Sequence, residues 1–258
     1  MPELPDLQIF SANLNKALAG KTVREITVLK PQKQVSEKEL NNALKGKKLL
    51  SVYREGKELR FGFEDGKILG LHLMLNGKLY LFEERNSHKS ALVEIFFEDG
   101  AGLALTDFQG FANISLNPQE SEVPDALSDD LNVNYLESKL KRSRTAIKNI
   151  LMDQKIIRGI GNAYADEILW EAKISPFSAA NKIPAGQLTK LIENIKSSLT
   201  EAERQIKNSH PDIINGEVRD FLKIHNHKHK TSPTGSPIKT DEINKRKTYF
   251  TDEQVEYK

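Results

Sequence analysis

Between Arg144 and Ala172 the chain reads RTAIKNILMDQKIIRGIGNAYADEILWEA, two helical segments hinged on a glycine turn. In the second segment Tyr164, Ile168 and Leu169 recur at helical spacing and form one apolar face. Gly159-Ile160-Gly161-Asn162 stands directly before it. Backbone N–H groups at a helix start, with Asn162 as the cap, make a site for a phosphate. The same residues also suit a tight helix–helix turn, and the turn alone does not separate the two readings.

Outward from this segment the periodicity changes. Towards the N-terminus, TVREITVL, KLLSVYREGKELRFGF, KILGLHLMLNGKLYLF and ALVEIFFEDGAGLALTDF are alternating, β-rich runs. Asn76-Gly77 and Glu98 to Gly100 read as turns between them, with Asn-Gly favouring a twisted hairpin turn. Ahead of these strands Leu4, Leu7, Phe10, Leu14 and Leu18 mark an amphipathic helix that Gly20 ends. Beyond a polar linker carrying Pro118 and Pro124, helical spacing covers segments near 132–141, 144–153, 163–173 and 185–208. From about Gly216 onward, short runs around SPTGSP predict a small β-hairpin module. The expected class is α+β: an antiparallel β-sandwich domain over 1–118, a linker over 119–131, a helical domain over 132–215 and a hairpin module over 216–258.

At 258 residues the chain is long enough for two ordinary domains and an appendage. No apolar run approaches the roughly eighteen residues of a membrane span, so no membrane partner is expected. There is no cysteine, which excludes disulfides and thiolate–zinc sites, and a cytoplasmic location is the default, nucleoid-associated if the source is bacterial. Net charge is only +2, but its distribution is uneven. From Phe221 to Phe250 seven basic residues face only Asp241 and Glu242, and KLKRSRTAIK is a second basic run. Either run alone reads as a solvated surface; two together point to nucleic acid.

The N-terminus, MPELPD, adds chemistry. Removal of Met1 would expose Pro2 as a secondary amine. An α-amino group titrates at about 7.7–8.0, so part of it is unprotonated and nucleophilic at neutral pH. Such an amine can attack a sugar C1′ and form a Schiff base, with the neighbouring Glu3 as general acid or base. Many proteins begin Met-Pro without any catalytic use of it.

Taken together, PELP, the TAIKNILMDQK…GIGNAYADEIL pattern and the C-terminal segment resemble the formamidopyrimidine-DNA glycosylase and endonuclease VIII family over essentially the full length. The resemblance implies a helix–two-turns–helix domain and a C-terminal finger. It implies an enzyme that flips a damaged nucleotide out of duplex DNA. The N-terminal proline then displaces the base, and successive eliminations cleave the strand. By the same match Pro2 is the nucleophile, Glu3 the proton-transferring carboxylate and Lys57, in REGKELRF, a phosphate-holding lysine. Lys148, Asn162 and Lys155 match phosphate contacts around the lesion. Arg246, in KRKTYF, matches a finger arginine that grips the adjoining phosphate and aids the second elimination, a task that suits a planar guanidinium.

Two departures qualify the match. Relatives with a zinc finger carry two cysteine pairs, but here the corresponding positions are Thr231, Thr234, Thr251 and Gln254, which are poor zinc ligands. His225, His227 and His229 alternate at strand spacing and read as phosphate-facing or solvated, so the segment resembles a zincless finger and neither metal nor cofactor is expected. In the gap-filling set, Leu75 beside Met74 takes the wedge position and Phe111 is an aromatic wedge, unless both belong to the sandwich core. Gln109 stands where formamidopyrimidine-type members have arginine, which weakens opposite-base discrimination. The short SHPDIINGEV segment leaves little chain for a cap over oxidised purines.

The expected function is a monomeric, bifunctional DNA glycosylase and abasic-site lyase acting on oxidised or ring-opened bases in damaged double-stranded DNA. A non-catalytic damaged-DNA-binding protein on the same scaffold is the alternative, and an RNA-binding or structural protein is the third class.

Overall fold

The computed structural model describes residues 1–258, which divide into two compact units. One comprises Met1–Glu120 with Ile206–Glu217, and the other Ser121–Gln205 with Val218–Lys258. The finger thus groups with the helical region, while the segment after Gln205 groups with the N-terminal strands. No helix is long and apolar enough to cross a membrane.

The first unit opens with helix α1, Leu4–Leu18. Its stripe of Leu4, Leu7, Phe10, Leu14 and Leu18 is at most 1% exposed. Full burial of each such side chain contributes about 1.5–3 kcal/mol. Strands β1 (Val23–Val28), β2 (Leu49–Glu55), β3 (Glu58–Phe63) and β4 (Ile68–His72) follow, then β5 (Lys78–Glu83), β6 (Ala91–Phe97), β7 (Ala101–Thr106) and β8 (Asn113–Leu116). Two four-stranded antiparallel sheets result, ordered β1-β6-β7-β5 and β2-β3-β4-β8. Phe61, Leu69, Leu79, Phe97 and Leu103 join α1 in a single core. Helix α2, Glu37–Leu44, escaped the periodicity reading, although its Ser36-x-x-Glu39 capping box is a local signature of a helix start.

One turn differs from expectation. Asn76-Gly77 does not close a hairpin, because β4 pairs with β3 and β8 whereas β5 pairs with β7. The chain changes sheets between them. Gly77 is needed for close approach: a Cβ there would lie 2.3 Å from the Leu73 carbonyl oxygen and 2.9 Å from the Ala112 Cβ.

In the second unit α3 (Val133–Leu140), α4 (Ile147–Met152), α5 (Asn162–Glu171) and α6 (Ala185–Ser209) match the helical segments read from the sequence. On α6, which runs on into the first unit, Leu188, Leu191, Ile195, Leu199, Ala202 and Ile206 form the buried stripe. Strands β9 (Lys239–Ile243) and β10 (Arg246–Phe250) make an antiparallel hairpin. Its two turn residues, Asn244 and Lys245, have φ of 50° and 61°, as a primed hairpin turn requires. Trp170, Ile224 and Tyr249 form the finger's small core, with Ile238 packed against it.

Candidate active site and nucleic-acid interface

In the first unit, Pro2 and Glu3 precede α1 and both are buried. Glu3 and Asp6 cap the helix reciprocally, with Asp6 Oδ2 accepting from the Glu3 N–H at 2.8 Å. Pro2 helps line a cleft of 240 Å³ together with Leu75, Asn76, Gly77, Lys78, Gly216 and Glu217. The Met1 ammonium pairs with the Glu217 carboxylate there. With Met1 attached, the Pro2 nitrogen is an amide whose lone pair is delocalised. Its release would place a secondary amine in the cleft wall, next to an acidic group that the sequence did not flag.

Lys57 sits with Gly56 in the two-residue turn between β2 and β3. Arg54 fixes this turn: its Nε donates to Gln8 Oε1 at 2.9 Å and its guanidinium to the Gly56 carbonyl at 3.1 Å. Burial first, and the Lys57 charge second, hold the His72 imidazole below its ordinary value. Its Nδ1 accepts the Met74 N–H at 3.1 Å. Lys57 and a neutral histidine therefore share one neighbourhood of the sheet.

The gap-filling residues occupy two loops. Leu75 is 61% exposed and Phe111 55%, so neither belongs to the sandwich core, and Phe108 adds a third exposed apolar side chain at 70%. Asp107 organises the second loop by accepting the backbone N–H groups of Gln109 at 2.9 Å, Phe111 at 2.8 Å and Ala112 at 2.9 Å. Burial pushes the Asp107 carboxyl up, but these N–H groups outweigh it and leave it below the usual carboxylate range. Asn76 joins the loops by donating to the Gln109 side-chain oxygen.

In the second unit the glycine turn is laced by Gln154. Its Oε1 accepts from the Gly159 N–H at 2.9 Å and its Nε2 donates to the Ile160 carbonyl at 2.9 Å. Gly161, not Asn162, is the cap of α5; Asn162 is the first helical residue and donates to the Lys247 carbonyl at 3.0 Å. Lys155 is exposed.

Lys148 departs from its expected role as a phosphate contact. Its ammonium is fully buried, 2.7 Å from Asp166 Oδ1, and it donates to Thr248 Oγ1 at 2.8 Å and the Lys247 carbonyl at 3.3 Å. A buried ammonium needs a counter-ion and acceptors, and those come from α5 and β10. Asp166 Oδ2 also accepts the Tyr249 N–H at 3.0 Å and lies 2.7 Å from His225 Nδ1. Glu167, the next residue, gathers the backbone N–H groups of Lys223, Ile224 and His225 at 2.7–2.8 Å. Neither acid was visible as a site residue, because Glu167 pairs only with the chain at 223–225 and Asp166 joins Lys148 to His225 and Tyr249, contacts that the fold alone creates.

Arg246 opens β10 at the exposed hairpin, and its carbonyl accepts from Thr248 Oγ1 at 3.1 Å. The three finger histidines do not converge, since His225 turns inward to Asp166 while His227 and His229 are exposed. The zinc positions implied by the resemblance do not fit that metal either. Thr234 and Thr251 donate their hydroxyls to Glu253, and Gln254 is engaged with the Thr251 N–H and the Ile174 carbonyl.

Comparison with known proteins agrees with this architecture. The formamidopyrimidine-DNA glycosylase N-terminal domain matches residues 1–114, and the formamidopyrimidine-DNA glycosylase H2TH domain matches residues 123–211. The chain is 32% identical to the formamidopyrimidine-DNA glycosylase of Lactobacillus helveticus and 30% identical to that of Lactobacillus johnsonii, covering 97% of each chain in both cases. Among solved structures, Lactococcus lactis Fpg in complex with an abasic site containing DNA superposes with a TM-score of 0.87 at 25% identity, covering 99% of this chain and 100% of that one. The same bacterium's Fpg with a FAPY-dG containing DNA gives 0.86 at 25% identity, covering 98% and 99%. The chain belongs to the formamidopyrimidine-DNA glycosylase family of base excision repair DNA glycosylases.

Proposed function

We propose that this chain is a bifunctional glycosylase and abasic-site lyase that binds damaged duplex DNA and uses the Pro2 amine, once Met1 is removed, as its nucleophile. The observation that carries the reading is Pro2 itself, held by the α1 cap in the wall of a cleft bordered by the Leu75 loop and Glu217. The amine attacks C1′ of the extruded nucleotide, the glycosidic bond breaks, and the base departs. Ring opening then leaves an iminium between Pro2 and the sugar, from which the strand is cleaved by elimination. Glu3 handles the proton transfers, while Lys57, Asn162 and Lys155 hold phosphates.

Leu75 and Phe111 fill the vacated stack, with Gln109 against the orphaned base. Insertion of apolar groups offsets part of the unstacking, which costs a few kcal/mol. Because the whole set lies on one chain, the reading needs no second copy and describes a monomer. Arg246 assists the second elimination.

The test is borohydride trapping on an oligonucleotide with an abasic site, using protein shown to begin at Pro2. A covalent adduct is expected, and Pro2→Gly should lower its yield at least about a hundredfold with duplex affinity nearly kept. Absence of an adduct from the processed wild-type chain would leave a damaged-DNA-binding protein on this scaffold.

A further inference from the structure

The finger keeps its hairpin although the residues at the zinc positions do not suit zinc, so something else must converge its strands. One side chain does so. The Glu253 carboxylate accepts five hydrogen bonds from three separate stretches of chain, 170–173, 232–234 and Thr251. Its Oε2 takes Trp170 Nε1–H, Ser232 Oγ and Thr251 Oγ1, each at 3.1 Å. Its Oε1 takes Thr234 Oγ1 at 2.7 Å and the Lys173 ammonium at 3.1 Å. A carboxylate offers about four lone-pair sites, so this one is saturated.

Three of the donors, Trp170, Ser232 and Thr251, are buried, while Thr234 and Lys173 approach from the surface side. Ser232 is 4% exposed and Thr251 1%. The Lys173 ammonium also lies 4.2 Å from the centre of the Trp170 ring, which closes the group on its α5 side. The following chain continues the attachment, with Val255 N–H donating to the Lys173 carbonyl at 2.9 Å and Ser175 N–H to the Val255 carbonyl at 2.8 Å.

We propose that Glu253 is the positioning residue of the finger: its carboxylate does the converging work of a metal ion, with the charge sign inverted and hydroxyl donors in place of thiolate ligands. It ties the loop at 232–234 and the end of β10 to Trp170 and Lys173, and through β10 it fixes Arg246. The inference rests on the glycosylase reading only for the consequence at Arg246.

Trp170 is the sole tryptophan, so its emission reports on the node directly. In Glu253→Ala the emission should shift, and backbone amides from Thr248 to Gln254 should exchange at least about tenfold faster while those of α6 and the β-sandwich keep their rates. On an abasic duplex the ratio of singly to doubly eliminated product should rise, because Arg246 loses its setting. If Glu253→Ala does not fold, Glu253→Gln, which keeps the volume but turns a donor towards donors, is measured in the same way.

Wild-type exchange at 248–254 overturns the proposal, as does loss of protection spread evenly over α6 and the sandwich. If neither wild type nor variant forms a borohydride adduct, the enzyme reading has failed, and the exchange result still decides the role of Glu253.

Discussion

Lys148, the last residue of a basic run, and Lys155, seven positions on, have opposite fates. Lys155 is exposed, whereas Lys148 is enclosed with Asp166, both side chains 0% exposed. Deleting one member of such a pair leaves an uncompensated buried charge and typically costs about 3–5 kcal/mol. Lys148→Met should therefore lower the denaturant midpoint by an amount corresponding to that loss; a variant as stable as wild type would show that the pair contributes little. The sequence could not reveal this difference, because the ion pair depends on α5 and β10 being folded against α4. The family resemblance singles out Leu75 and Phe111 but leaves the sandwich core open as an alternative, and only the fold shows both exposed.

Elements with a strong internal period were legible, and those defined by partners were not. The stripes of α1 and α6 place them from sequence to within a residue or two, because burying a full face overrides weaker preferences. Asn76-Gly77 was misread because a turn signal is local, while the choice between continuing in one sheet and crossing to another is made by distant strands. The finger shows the same limit: Glu253 meets Trp170 eighty-three positions away.

Its setting has a pH signature. The Thr234 hydroxyl, opposed by burial and assisted by Lys173, Trp170 and Thr251, holds the Glu253 carboxyl down to about 2 from an ordinary 4.5. Since the folded value is depressed, the stabilisation is complete above the ordinary value and drains away as pH falls from about 4.5 towards 2. Trp170 emission should follow that window in wild type and lose the dependence in Glu253→Gln. An unchanged profile in the variant would assign the transition to another group.

For the molecule as a whole, net charge is a poor guide to its partner. A value of +2 conceals basic runs that the fold spends differently, some on internal ion pairs and some on open surface. Affinity for a lesion-bearing duplex should fall linearly on a log–log plot against salt. Lys155→Gln should reduce that slope by about 0.9, the contribution of one phosphate contact to duplex DNA. A slope equal to wild type in filter binding would remove Lys155 from the interface. The α+β class and the order of its parts could be read in advance, whereas the grouping of 206–217 with the strands could not, because it rests on Ile213 and Ile214 packing onto the sandwich core.

The closure of the finger by oxygen atoms has a chemical consequence for a repair enzyme. Peroxide attacks thiolates and carries them through sulfenic to irreversible sulfinic and sulfonic acids, which would unmake a cysteine-built clasp under the same stress that damages bases. Hydroxyls and a carboxylate are inert to that progression, so this hairpin should outlast oxidant exposure that disarms a thiolate-bound counterpart.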